Sequence, residues 1–220
     1  DEYSIIKHKG VLKMQDEANE IMKRYDRVSP IYDIFEAPME LMAMKQWRKE
    51  LMSELHGKVL EVGVGTGKNI EYYPEGIDII GIDFSQGMLK RARKRVESLG
   101  RQVELLQMDA QSMDFADNTF DTVFTTCVFC SVPNPVKGLE EIRRVCKNGG
   151  KIILIEHVRS EKKLLGLLMD VLNPVIVNLY GANINRKTVE NVRAAGFADV
   201  HVTNLFNDIV KKIVIRNFKE

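Results

Sequence analysis

The chain has 220 residues, which is one large domain, or one domain with an appendage, at roughly 150 residues per domain. Its 32 basic and 31 acidic residues leave a net charge of +1, which excludes nucleic-acid binding driven by bulk charge, and 45% hydrophobic with 29% charged residues excludes global disorder. Three cysteines, Cys127, Cys130 and Cys146, do not make a disulfide framework and fit a reducing, cytoplasmic compartment.

In chain order, the polar start Asp1-Glu2-Tyr3-Ser4 carries no signal-peptide pattern. Residues 1–56 read as a helical appendage. Between 36 and 55, Leu41, Met44, Trp47 with Arg48, Leu51 and Leu55 recur at helical spacing, and His56-Gly57 ends the run. A domain spanning 57–220 follows. Apolar, β-rich runs occur at 59–62, 77–82, 103–107, 122–126, 152–155, 200–204 and 212–215. Helix-like stretches fall at 69–73, 86–99, 135–146 and 188–195, with Gly100, Gly149-Gly150 and Gly196 as stops. This alternation predicts an α/β fold: a mainly parallel sheet with helices on both faces. The last two runs, joined by a loop, suit an antiparallel hairpin at the sheet edge. Residues 164–180 are greasy for a connection over the sheet, but Asp170 and Asn173-Pro174 interrupt them as a membrane span.

The strand at 59–62 runs into Gly63-Val64-Gly65-Thr66-Gly67, where alternate glycines let the backbone turn sharply and approach a ligand. A dinucleotide fingerprint fails because Lys68 stands where its third glycine should fall. A phosphate loop fails because Val62 replaces its first glycine and Asn69 its hydroxyl residue. Nucleosides without a phosphate remain. Asp83 ends the next strand, about 20 residues beyond the loop, where a carboxylate accepts both ribose hydroxyls. Asp109, followed by Ala110, ends the third strand and suits an adenine amino group.

These features resemble the class I S-adenosylmethionine (SAM) dependent methyltransferases. The likeness rests on Glu61-Val-Gly63-Val-Gly65-Thr-Gly67, on Gly81-Ile-Asp83-Phe-Ser85-Gln-Gly-Met88-Leu89, and on Gln107-Met-Asp109-Ala110. Phe120-Asp121-Thr-Val123 and Glu141-Ile-Arg143-Arg-Val-Cys-Lys-Asn-Gly149-Gly150 add to it. The resemblance implies a Rossmann-like seven-stranded sheet with an antiparallel final strand and an N-terminal helical lid. It implies SAM as cofactor, S-adenosylhomocysteine as product, and no metal. It places Glu61, Gly63, Val64, Gly65, Thr66 and Asn69 around the methionine portion and Asp83 on the ribose. Phe84 and Met88 would pack near the adenine, Asp109 and Ala110 on its edge, and Thr126 and Cys127 near the sulfonium. Tyr25 and Tyr32 fall in Tyr25-Asp26-Arg-Val-Ser-Pro-Ile-Tyr32-Asp33, which resembles the opening motif of quinone and phospholipid branches, where a tyrosine closes over the cofactor.

Within the family the likeness runs to bacterial phosphatidylethanolamine N-methyltransferases and related thiol S-methyltransferase-like proteins. It is carried by Cys130-Ser131-Val132, Glu156-His157-Val158, Asn173-Pro174 and Gly181-Ala-Asn183-Ile-Asn185-Arg186-Lys-Thr188. It implies a phospholipid amine as acceptor, with thiol S-methylation, quinone C-methylation and a non-catalytic SAM-binding module as rivals.

In-line methyl transfer needs alignment and the removal of water. An amine must also be neutral to attack, which a base or a desolvating pocket supplies. His157, just beyond the fifth strand, is the polar group expected at the substrate mouth, and Tyr25 the other catalytic candidate. Cys130, Ser131, Asn183 and Arg186 are the other substrate-side candidates, and a guanidinium forks well onto phosphate. The greasy 164–180 and the Met-rich N-terminus (Met14, Met22, Met39, Met42, Met44, Met52) point to a hydrophobic, lipid-like acceptor and a peripheral membrane surface as partners; burial in a core or a dimer is the alternative.

Overall fold

All seven apolar runs become strands of one sheet. The computed structural model describes residues 20–23, 25–27 and 44–219. Helix α1 (Lys45–Met52) leads into β1 (Val59–Val62), a 3-10 turn (Ile70–Tyr72), β2 (Ile79–Asp83), α2 (Gln86–Ser98), β3 (Glu104–Gln107) and β4 (Phe120–Thr126). Then come α3 (Pro135–Val145), β5 (Cys146–His157), α4 (Lys163–Tyr180), α5 (Thr188–Ala194), β6 (Asp199–Phe206) and β7 (Val210–Asn217). The strand order is β3-β2-β1-β4-β5-β7-β6. β1 to β5 pair in parallel, and β7 lies antiparallel between β5 and β6. The chain winds outward from β1 to β3 and returns to β4. The carboxyl ends of β1 and β4 therefore part around a crevice, the usual place for a ligand in such sheets.

Alternating side chains feed two cores, one on each face. Leu60, Val62, Val123 and Ile152 pack with Leu139, Ile142 and Val145 of α3 and Val192 of α5. Val59, Phe124, Ile153 and Ile155 pack with Leu51 of α1 and Leu89 and Ala92 of α2. Central β1 is buried along its whole length, Glu61 included. Local chemistry starts the helices. Ser85 Oγ accepts from the Met88 N–H at 3.1 Å at the head of α2. Asn134 Oδ1 accepts from the Lys137 N–H at 3.1 Å, with Pro135 leading α3.

Several boundaries move from their expected places. The described part of the helix expected over 36–55 is α1, which ends at Met52. Residues 28–43, with Tyr32, and most of the expected lid lie outside the described residues. The stretch 69–73 makes only a 3-10 turn. Gly149-Gly150 does not stop α3, which ends at Val145. Both glycines lie inside β5, with Gly149 at φ +73. The extension exists because Cys146 pairs with Phe120 across a register shift, a backbone contact that polar Lys147 and Asn148 conceal from any apolar pattern. The greasy stretch forms α4, closed by Gly181 at φ +79.

Candidate active site

The glycine loop is stitched to the end of β2. The Gly65 N–H donates to Asp83 Oδ2 and the Ser85 N–H to Asp83 Oδ1, both at 2.9 Å. Burial pushes the Asp83 carboxyl up to about 6, helped by the charge of Asp26 and opposed by these amide bonds. The two glycines do different work. At Gly63 (φ +76) an added Cβ would lie 2.3 Å from Val128 Cγ2, so the loop must pass tightly under the turn after β4. At Gly65 (φ +56), which borders the cavity, the same atom would meet nothing within 4 Å.

Beneath the loop lies a dry polar network. Glu61 Oε1 accepts from Asn69 Nδ2 at 2.6 Å, and its other oxygen accepts from the Tyr73 hydroxyl. Burial pushes the Glu61 carboxyl up to about 7 against those two bonds and the nearby Arg48 charge. Arg48, on α1 and buried, donates to Asn69 Oδ1 at 2.6 Å and to Thr126 Oγ1 at 3.3 Å. The network joins α1, β1, the loop and the end of β4. Arg48 also lines the cavity, a placement the sequence reasoning missed. Its signal was a charged residue on the apolar stripe of α1.

Tyr25 straps the two sides of the cavity together. Its hydroxyl pairs with the Ser131 hydroxyl, and its ring meets Phe84 edge-on with centroids 5.7 Å apart. The next residue fixes the strap: Asp26 Oδ1 accepts from Ser85 Oγ at 2.5 Å and from the Gly87 N–H at 2.8 Å, at the head of α2.

The opposite wall is the turn after β4. Cys127 takes φ +57, a left-handed conformation that costs a non-glycine residue of order 1–3 kcal/mol. Fully buried Glu156 secures the turn by accepting from Thr125 Oγ1 at 2.8 Å and from the Val128 and Phe129 N–H groups at 3.1 Å, and burial pushes its carboxyl up to about 7. Asn183 secures it from outside. Its backbone and side-chain N–H groups both donate to the Cys130 carbonyl at 2.9 Å, while its Oδ1 accepts from Asn173 Nδ2 of α4 at 3.0 Å. Arg186 Nη2 donates to the Val132 carbonyl at 2.9 Å, and its Nε is buried without a partner among the described residues. His157 likewise has a buried Nδ1 with no partner there, and burial lowers its pKa.

One cavity gathers most of the expected residues: Tyr25, Gly63, Val64, Gly65, Thr66, Asn69, Asp83, Phe84, Met88, Asp109, Ala110, Thr126, Cys127 and Ser131. Glu61 supports it from beneath through Asn69. Cys130, His157, Asn183 and Arg186 do not line it; Cys130, Asn183 and Arg186 bear on the turn that does. Among the described residues no cluster of His, Cys, Asp and Glu could hold a metal ion.

Comparison with known proteins agrees with this geometry. The family described as "Methyltransferase domain" matches residues 60–154. A phosphatidylethanolamine N-methyltransferase of Cereibacter sphaeroides is 45% identical over 108 residues, 48% of this chain and 53% of that one. A demethylmenaquinone methyltransferase of Renibacterium salmoninarum is 33% identical over 143 residues, 63% of this chain and 59% of that one. The chain thus spans between half and two-thirds of the length of these relatives. Among solved structures, a SAM-dependent methyltransferase from Thermotoga maritima superposes with a TM-score of 0.69 at 22% identity, covering 90% of this chain and 99% of that one, which shows the fold. The [4+2]-cyclase SpnF superposes with a TM-score of 0.57 at 28% identity, covering 69% and 56%. Residues 60–154 thus match a methyltransferase domain, and the described chain shares the fold of SAM-dependent methyltransferases.

Proposed function

We propose that the protein transfers a methyl group from SAM to the amine of a membrane phospholipid, phosphatidylethanolamine or its methylated forms. The observation that carries this reading is the single cavity crossed by Tyr25, acidic on its β2–β3 side and largely apolar along the turn after β4. The acidic side suits SAM. Asp83 is a dry carboxylate that gains by accepting hydroxyl donors, and Gly65 leaves open the space a side chain would fill. In this reading Asp83 takes the ribose, Asp109 and Ala110 the adenine edge, Phe84 and Met88 its surroundings, and Arg48 the methionine carboxylate. Thr126 and Cys127 lie toward the sulfonium.

SAM supplies a methyl group already activated by its sulfonium. The protein's task is to align an acceptor and keep water out. Tyr25 closes the cavity, and the Ser131 hydroxyl oxygen receives the acceptor's N–H. The apolar wall of Val128, Val132 and Pro133 disfavours an ammonium, so the attacking nitrogen keeps its lone pair. Arg186 stands behind the wall and steadies the turn through the Val132 carbonyl. His157 stands outside the cavity wall and takes a supporting place in this reading.

Likeness to a phosphatidylethanolamine N-methyltransferase supports an amine-lipid acceptor, and a cytoplasmic, membrane-peripheral location goes with it. Ring C-methylation of a quinol is the second reading, favoured by relatives named demethylmenaquinone methyltransferases. Incubation with labelled SAM and separate amine-lipid, quinol and alkyl-thiol acceptors tests the choice. Label on the amine lipid is expected. Label on the quinol or the thiol alone overturns the acceptor, and SAM binding with no label anywhere leaves a binding module.

A further inference from the structure

Helix α4 is apolar on its outer face. Toward the protein it turns buried Met169 and half-buried Ile176 together with polar and small residues. Asp170 accepts from Arg159 Nε at 3.0 and 3.1 Å, from Arg159 Nη2 at 2.7 Å and from Asn185 Nδ2 at 3.0 Å. Asn173 bonds both Asn183 Oδ1 and the Ile184 N–H. Gly166 is packed so tightly that a Cβ would fall 2.6 Å from the Ser160 carbonyl. The leucines and valines face outward instead: Leu164 is 84% exposed, Val171 67% and Leu179 66%, with Leu167, Leu168 and Val175 between them. In water such a strip costs free energy at every residue, so its natural surroundings are apolar.

We propose that α4 is the docking surface for a lipid bilayer, lying along the interface with its leucines in the acyl boundary. The proposal deepens the lipid-acceptor reading and rests on it for its purpose. No helix among the described residues is long and apolar enough to cross a membrane, which leaves an in-plane orientation. The charges agree. The exposed ionisable residues at the helix start are Glu161, which is paired with Lys211, and Lys162 and Lys163, while its acid, Asp170, is paired with Arg159. Both acids are matched by cations, which leaves the two lysines for anionic headgroups. A second copy is a poorer occupant. An 18-residue helix presents a strip about 27 Å long and about 10 Å wide, on the order of 300 Å², against about 800 Å² per partner in a stable dimer. The placement also serves the site. Asn173 ties α4 through Asn183 to the Cys130 carbonyl, next to the Ser131 that Tyr25 bonds. A docked helix therefore puts the acceptor mouth beside the membrane.

The test is co-sedimentation of the full chain with vesicles of phosphatidylcholine alone, and of phosphatidylcholine and phosphatidylglycerol in equal parts. The protein should sediment with both, more strongly with the anionic set. Leu168→Gln/Val171→Gln/Val175→Gln should lose about tenfold or more of this partitioning with unchanged SAM affinity and circular dichroism. Lys162→Glu/Lys163→Glu should lose only the preference for anionic vesicles. Equal sedimentation of the triple variant and the parent overturns the proposal, as does a parent that binds neither vesicle. A concentration-dependent dimer that the triple variant abolishes assigns the strip to a second copy and overturns it as well. Vesicle binding without methylation of any amine lipid removes the acceptor reading and leaves the docking surface standing.

Discussion

The two sides of the cavity follow opposite rules. On the cofactor side, charged and polar groups are buried: Glu61, Asn69, Arg48 and Asp83 sit in the dry interior and hold one another. On the side of the turn after β4 the lining is largely apolar, with Val128, Val132 and Pro133, and Glu156 and Asn183 hold the turn from behind. The contrast teaches that the two walls are built by different means. One is fixed by buried dipoles that hold one another before any ligand arrives. The other is apolar, and groups behind the turn hold it in place.

The largest expected effect sharpens the comparison inside one loop. Gly63→Ala should lower stability by about 2–4 kcal/mol, combining a left-handed backbone with the clash against Val128. Gly65→Ala should cost only about 1–2 kcal/mol of backbone strain and should mainly weaken SAM binding, since Gly65 borders the cavity. Urea unfolding and SAM calorimetry on both variants separate the two roles, and equal profiles would break the distinction.

Next in size is Asp83→Ala, which should weaken SAM binding by about 1–3 kcal/mol. The carboxyl must be ionised to accept two hydroxyl donors, and burial holds its pKa near 6. SAM affinity should therefore be full above that pH and fall as the pH drops through it. Asp83→Asn should flatten the profile. A slope that survives in the variant would move the titration to another group.

Tyr25→Phe removes the bond to Ser131 and keeps the ring against Phe84. It should cost about 1 kcal/mol in turnover with a smaller change in SAM affinity. The smallest effect is expected at His157. His157→Ala should leave SAM affinity unchanged and lower turnover only slightly. A fall of about a hundredfold would mean that His157 moves the acceptor's proton after all.

The carboxyl edge of the sheet was the legible part of the chain. β1 lies where its apolar run predicts, and the loop and the acids Asp83 and Asp109 follow from local spacing because consecutive strand ends are neighbours in space. What the sequence hid depends on contacts between distant segments. Arg48 reads as a charged member of an apolar stripe, with no partner in view, until α1 is laid against the loop. Asp26 reads as a polar neighbour of Tyr25 until it meets the head of α2. His157 directly follows an acid that proves to anchor a turn, yet its own side chain faces away from the cavity lining. The greasy segment after β5 was visible as composition, but its outward orientation is decided by Asp170 and Asn173, whose partners Arg159, Asn183 and Ile184 come from beyond the helix on both sides.

Asp26 has a kinetic consequence. Its carboxylate satisfies donors at the head of α2 only while the tyrosine beside it is in place. Swapping spent cofactor for fresh must therefore release a latch that is fastened twice, at Asp26 and at Ser131. If the chain transfers methyl groups as proposed, its turnover is expected to be timed by unlatching, with exchange slower than diffusion and accelerated in Asp26→Ala.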